Sequence, residues 1–286
     1  MHFVKFFSKN VRHKSATLNA PCPKACSLKH LYLPMQKTIL ITGATSGFGK
    51  ACAEIFGHHH HNLIITGRRA ERLAEIAGSL EVAYGIKVLP LVFDVQDKAA
   101  CFNAIATLPK AWQSIDILIN NAGLALGRDL FHEANTEDWD TMIDTNVKGL
   151  MYMSKAVVPL MQQLGKGHII NLGSVAGKEV YERGNGYCAS KFAVVALSRS
   201  MRIDLLKHKI KVTCINPGAA DTEFSVVRFK GDEEKVAGIY NGFTPLTAQD
   251  VAETIYYTTT LPEHVCINDL DITCLAQADG IYFYKG

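Results

Sequence analysis

After residue 35, hydrophobic positions follow two alternating rhythms along the 286-residue chain. Short apolar, often β-branched runs occur at Thr38–Thr42, Leu63–Thr66, Val88–Phe93, Ile115–Ile119, His168–Leu172 and Lys211–Ile215. Each is followed by a longer helical stretch, and a last run lies near Leu270–Cys274. Strands that alternate with helices imply a parallel sheet covered on both faces, because parallel neighbours need a crossover and that crossover is usually a helix. The expected fold class is therefore α/β, a doubly wound parallel sheet of about seven strands. No internal repeat or second linker divides residues 35–286, which read as one domain.

Residues 1–34 read differently. They hold six basic side chains (Lys5, Lys9, Arg12, Lys14, Lys24, Lys29), no acidic one, and no sustained periodicity. Pro21, Pro23 and Pro34 break any helix there, and no clean signal peptide is present. A basic extension, disordered or upstream of a true start at Met35, is the expectation.

Charge changes the picture little. The +3 net charge comes from that extension, which leaves 24 basic against 27 acidic side chains in the remainder. A nucleic-acid surface is not expected. Hydrophobic residues make up 48% and charged residues 20%, as in ordinary globular proteins. No apolar run approaches the roughly 18 residues that span a bilayer, so a soluble cytoplasmic protein is expected. The eight cysteines are scattered and read as reduced buried thiols. His58-His59-His60-His61 reads as an exposed turn, since adjacent residues on a short turn rarely converge on one ion.

Candidate chemistry begins where the first run enters Thr42-Gly43-Ala44-Thr45-Ser46-Gly47-Phe48-Gly49 and then a helix. Glycines at such a turn let backbone approach a pyrophosphate, which then rests on the helix N-terminus. A P-loop is excluded, since five residues separate Gly43 from Gly49 and Lys50 precedes Ala51. The second run ends in Thr66-Gly67-Arg68-Arg69. A carboxylate near this point suits the ribose hydroxyl of NAD, whereas arginines suit the 2′-phosphate of NADP. Arg68 and Arg69 therefore point to NADP. Asp94-Val95 closes the third run, where an aspartate can accept from adenine. Asn120-Asn121-Ala122-Gly123 follows the fourth and suits a cofactor floor, because ligands gather at this sheet edge.

Tyr187 and Lys191 lie four apart, on one face of a helix. A phenol with its usual pKa of about 10 is a poor proton shuttle at neutral pH, and a nearby ammonium favours phenolate. Ser174, in Asn171-Leu172-Gly173-Ser174, can bind a substrate oxygen as charge develops there.

With Pro217-Gly218-x-x-x-Thr222, these motifs stand in an order that resembles the short-chain dehydrogenase/reductase family over residues 36 to about 280. The resemblance implies a Rossmann-type sheet in the order 3-2-1-4-5-6-7. It implies Tyr187 as general acid/base, Lys191 lowering its pKa and holding the nicotinamide ribose, and Ser174 orienting the substrate oxygen. Asn146 would hold a water linking Lys191 to solvent, and Pro217–Phe224 would close over the nicotinamide. Hydride passes directly to or from the substrate carbon, so no metal is needed. The family usually associates through the helices expected at Thr136–Leu164 and Gly186–Lys207, implying a homotetramer or dimer.

Longer stretches, among them Asn120–Gly127, Asp138–Asn146 and Thr222-Glu223-Phe224-Ser225, resemble the bacterial NADP-dependent 3-hydroxy acid dehydrogenases that act on serine, allo-threonine or malonic semialdehyde. A small hydroxy acid needs a cation for its carboxylate, and Arg228, Lys230 and Arg183 are the candidates. Val180-Tyr181-Glu182-Arg183 is more charged than expected before the catalytic tyrosine. A reductase of another small carbonyl or ketone, or a silent NADP sensor on the same fold, are the alternatives.

Overall fold

The computed structural model describes residues 36–236 and 238–286; the basic extension, Cys22 and Cys26 lie outside them. Gln36–Gly286 forms one unit. Its strands are β1 (Thr38–Ile41), β2 (Asn62–Gly67), β3 (Val88–Val92), β4 (Ile117–Asn120), β5 (Gly167–Leu172), β6 (Ile210–Pro217), the two-residue pieces β7 (Ala220–Asp221) and β8 (Leu246–Thr247), and β9 (Asp269–Ile272). Helices are α1 (Gly47–His58), α2 (Ala70–Tyr84), α3 (Lys98–Ala106), α4 (Thr136–Ile143), α5 (Leu150–Leu164), α6 (Asn185–Leu205), α7 (Glu223–Arg228), α8 (Glu233–Val236) and α9 (Ala248–Thr260).

Seven strands form an all-parallel sheet in the order β3-β2-β1-β4-β5-β6-β9. This is the expected order with β9 as seventh strand, because β7 and β8 pair only with each other. Period-two alternation decides which core each strand residue joins. Ile39, Ile41, Leu63 and Ile65 join the core against α1, α2 and α9. Leu40, Ile64 and Leu118 face the opposite core, with Cys101 of α3 and Met153 and Val157 of α5. Pro90 is tolerated in β3 because that strand is an edge. The sheet order reverses between β1, which leads to β2, and β4, so a crevice opens beyond their carboxyl ends.

The helix expected at Thr136–Leu164 is broken by a π-helical turn, Asp144–Gly149, that contains Asn146. Of the six described cysteines, all free, five are buried and Cys266 is half-buried. The histidine run corrects the expectation of an exposed turn. His61 is buried and its Nδ1 accepts from the Lys37 N–H at 3.3 Å. Burial first, and then the Lys37 charge, press its pKa down to about 4. His59 stacks on Tyr256 with ring centroids 4.0 Å apart. Only His58 and His60 are exposed. Packing of α1 against α9 decides this, a contact the local run does not reveal.

Candidate active site

β1 passes to α1 through a turn in which Gly43 adopts a φ of 67°, a left-handed conformation that side chains disfavour. A Cβ there would stand 2.9 Å from the Ala122 Cα, and one on Gly49 would collide with the Gly43 carbonyl. The two turns are therefore packed backbone on backbone. Thr42 Oγ1 accepts from the N–H groups of Asn121 at 3.0 Å and Ala122 at 2.9 Å. Asn121 Nδ2 donates to the carbonyls of Thr42 at 2.8 Å and Gly43 at 3.0 Å. Ser46, the N-cap of α1, makes no side-chain cap, and the first turn holds no acidic residue. Uncapped N–H groups at the positive end of a helix dipole suit an anion.

Above these turns lies a cleft of about 700 Å³. Thr45, Ser46, Gly47, Phe48, Arg68, Arg69, Asp94 and Val95 border one end. Gly43, Asn121, Ala122 and Gly123 lie along its floor, and Ser174, Tyr187 and Lys191 stand at the other end. Pro217, Gly218, Thr222 and Phe224 line it from across. Ala44, Gly49 and Asn146 do not line the cleft; all three are buried behind its wall.

At the first end Arg68 makes one long contact, 3.4 Å to Asp94 Oδ2. Arg69 is held on one edge by Thr45 Oγ1, at 3.0 Å from Nε and 2.6 Å from Nη2, and by Ser46 Oγ at 3.0 Å. Its Nη1 donates to Glu223 Oε2 at 3.2 Å, and Arg72 Nη1 donates to Glu223 Oε1 at 2.9 Å. Burial pushes the Glu223 carboxyl up, and the two guanidiniums outweigh it and hold it below the usual range. Sequence reasoning missed Arg72 and Glu223 as site residues. They are 151 positions apart, and no local signal joins them.

At the other end, Ser174 Oγ accepts from the Ala176 N–H at 3.1 Å and donates to the Pro217 carbonyl at 3.4 Å. Tyr187 and Lys191 share α6, and Lys191 Nζ sits 5.8 Å from the Tyr187 ring centroid. That ammonium is buried and donates to the Leu172 carbonyl at 2.8 Å. Burial lowers Lys191 to about 8. Burial also dominates at Tyr187 and drives the phenol well up, with a hydrogen bond from Ser174 and the charge of Arg228 pulling weakly the other way. In the free protein burial, and not Lys191, sets the direction at the phenol. Asn146 is committed elsewhere: its Oδ1 accepts from the Leu124 N–H and its Nδ2 donates to the Leu124 carbonyl, each at 2.8 Å, and Nδ2 also donates to Ser190 at 3.0 Å.

Of the three candidate cations, only Arg228 lines the cleft. Its guanidinium carbon lies 5.5 Å from the Tyr187 centroid and 5.6 Å from that of Tyr181, and its Nη2 donates to Tyr181 Oη at 3.1 Å. Its Nε is buried and has no partner among the described residues. Lys230 instead pairs with Asp138 at 2.9 Å, and Arg183 stands outside the cleft. Within the unusual stretch Val180–Arg183, Tyr181 has an account, because it supports Arg228. Just ahead of the stretch, Lys178 pairs with Asp269 at 3.0 Å and Glu179 accepts from the Gly280 N–H at 2.6 Å. Gly280, Ile281 and Phe283 also line the cleft, and no motif marked them. The cleft can therefore hold a long phosphorylated ligand with a proton-donating phenol and a cation at its far end.

Comparisons with known proteins agree with this geometry. Residues 37–233 match the family model described as short chain dehydrogenase. The chain is 47% identical over 241 residues to an NADP-dependent 3-hydroxy acid dehydrogenase, YdfG, of Salmonella typhi, covering 84% of this chain and 96% of that one. It is 45% identical over 250 residues to an NADP-dependent 3-hydroxy acid dehydrogenase of Schizosaccharomyces pombe, covering 87% and 96%. Among solved structures, it superposes on the closed form of a serine dehydrogenase complexed with NADP+ with a TM-score of 0.82. Their sequences are 45% identical, and the match covers 87% of this chain and all of the other.

Proposed function

This chain belongs to the short-chain dehydrogenase family, and on that premise we propose that it transfers a hydride between NADP(H) and C3 of a small 3-hydroxy acid of the serine, allo-threonine or 3-hydroxypropionate type. The observation that carries the acid specificity is Arg228. A guanidinium beside the Tyr187 ring, with a buried donor that has no partner among the described residues, is suited to a substrate carboxylate.

The residues present fit NADP. The uncapped N-terminus of α1 suits the pyrophosphate, and Arg68, whose side chain is 65% exposed, has donors to offer a 2′-phosphate. Asp94 Oδ1 accepts from the Gln96 N–H at 3.0 Å, so its carboxylate is held in place at the adenine end. When bound, the cofactor supplies hydride in one direction and takes it up in the other. In the reducing direction, the carbonyl carbon gains hydride, the C=O π pair moves to oxygen, and the phenol proton of Tyr187 follows onto that oxygen. Ser174, oriented by the Ala176 N–H, turns its hydroxyl from the Pro217 carbonyl to donate to the same oxygen as charge develops. Lys191 supports the phenolate left on Tyr187 and accounts for the ribose contact in this reading. The side chain of Asn146 braces Leu124 and Ser190, and so acts as a positioning residue behind the cleft wall.

The pKa directions set the pH dependence. With the phenol raised and the lysine lowered to about 8, Tyr187 keeps its proton as pH rises and the first group to lose one is the Lys191 ammonium, near pH 8. Reduction, which leaves a phenolate for that ammonium to support, is expected to plateau below that value and to fall above it. Steady-state reduction rates from pH 6 to 10 check this, and a rate flat to pH 10 contradicts it.

The test of the function itself is a substrate panel followed by NADPH absorbance. Serine, allo-threonine and 3-hydroxypropionate are expected to turn over with NADP in preference to NAD, and uncharged alcohols of similar size poorly. Activity confined to uncharged alcohols would overturn the acid reading. Association as a homotetramer or dimer belongs to the same proposal. It is supported by exposed Met151 on α5 and by Phe192 and Ile203 on α6, and sedimentation velocity checks it. No helix among the described residues is long and apolar enough to cross a membrane.

A further inference from the structure

We propose that Glu223 sets selectivity for the cofactor phosphate and fastens α7 over the cleft, by competing with the incoming 2′-phosphate for Arg69 while resting on Arg72. The inference rests on the NADP reading above. Arg69 turns one edge toward the neutral hydroxyls of Thr45 and Ser46, and its remaining nitrogen already faces the Glu223 carboxylate at 3.2 Å. Arg72 Nη1 reaches both oxygens of that carboxylate, at 2.9 and 3.2 Å. A phosphate arriving beside Arg69 therefore meets a resident anion. It competes with that anion for the guanidinium, while Arg72 gives Glu223 a second place to rest.

The same carboxylate opens α7, the element that carries Phe224 and Arg228 to the reacting end. Phe224 lies edge-on to Tyr187, with centroids 5.6 Å apart. Arg228 sits over the same ring. Glu223 thus ties the wall that bears the phosphate-binding arginines to the helix that bears the substrate cation. NAD and NADP differ only at the 2′ position, so loosening of α7 changes both affinities alike. The ratio of the two dissociation constants isolates the charge at Glu223.

The experiment titrates the full chain and its variants with NADH and NADPH by fluorescence. Glu223→Gln should raise Kd(NADH)/Kd(NADPH) about threefold, the size expected for one half-exposed charge pair. Its KM for the oxo acid should rise about threefold as α7 loosens, with kcat within twofold. Arg72→Met should lower the ratio in the wild-type background, by leaving Glu223 on Arg69 alone, and should leave it unchanged in the Glu223→Gln background. An unchanged ratio in Glu223→Gln overturns the role of Glu223. An equal fall on Arg72→Met in both backgrounds does the same, because Arg72 would then hold the phosphate itself. A wild-type chain that binds NADH more tightly than NADPH takes down the cofactor reading along with it. Glu223 is about half exposed and Thr222 still caps α7 through its own hydroxyl, so the variant keeps its fold.

Discussion

Tyr187→Phe is expected to lower kcat/KM for the oxo acid by about three orders of magnitude and leave NADPH affinity within about twofold. General acid catalysis by a positioned group contributes about 10²- to 10⁴-fold, and Tyr187 carries the phenol at the far end of the cleft whose oxygen is not already engaged by Arg228, as that of Tyr181 is. Ser174 accepts from the Ala176 N–H and gives its one proton to the Pro217 carbonyl in the free protein, and as an aliphatic hydroxyl it can turn that proton to the substrate oxygen only as a hydrogen-bond donor. Lys191 is directed toward the Leu172 carbonyl. Phenylalanine keeps the ring that packs against Phe224 and under Arg228, which separates chemistry from packing. Stopped-flow or steady-state reduction with NADPH, alongside a fluorescence titration, checks both halves. A loss below tenfold would assign the proton to another group.

Arg228→Met is expected to lower kcat/KM for the small oxo acid about 100-fold, mostly through KM, and to change that for an uncharged ketone of the same size less than about threefold. A hydrogen bond to a charged group contributes about 1.5–3 kcal/mol, and tenfold corresponds to about 1.4 kcal/mol. Methionine retains volume against Tyr181 while removing the charge. Arg183→Ala is the control, because that side chain stands outside the cleft. Equal losses on acid and ketone would show that Arg228 shapes the cleft without reading the carboxylate.

The fold and the cofactor turn were legible because their signals are local. Each apolar run and its following helix is a self-contained period, and Thr42–Gly49 carries its own turn chemistry. The Tyr187–Lys191 pair was legible for the same reason, since a spacing of four fixes a shared helix face. The charged stretch before Tyr187 was visible as a departure and inexplicable as one. Its Tyr181 meets Arg228, 47 residues away, and the residues just ahead of it meet Asp269, Asp271 and Gly280, which are farther still. The histidine run misled in the same manner, because Tyr256, which covers His59, comes from α9.

The sequence alone determined the alternation of strands and helices, the glycine turn suited to a phosphate, the paired arginines and the tyrosine-lysine helix, since each depends on residues within one or two turns of one another, whereas the strand order came only through the family resemblance. Tertiary structure decided which cation reaches the cleft, what holds it there, and the protonation state of the site. Arg228 and Lys230 are two residues apart, yet one meets Tyr181 and the other Asp138. The ammonium of Lys191, which helix spacing suggests should lower Tyr187, is itself lowered by the same burial that raises the phenol. Desolvation depends on every chain segment that closes over a group, and only the folded chain brings those segments together.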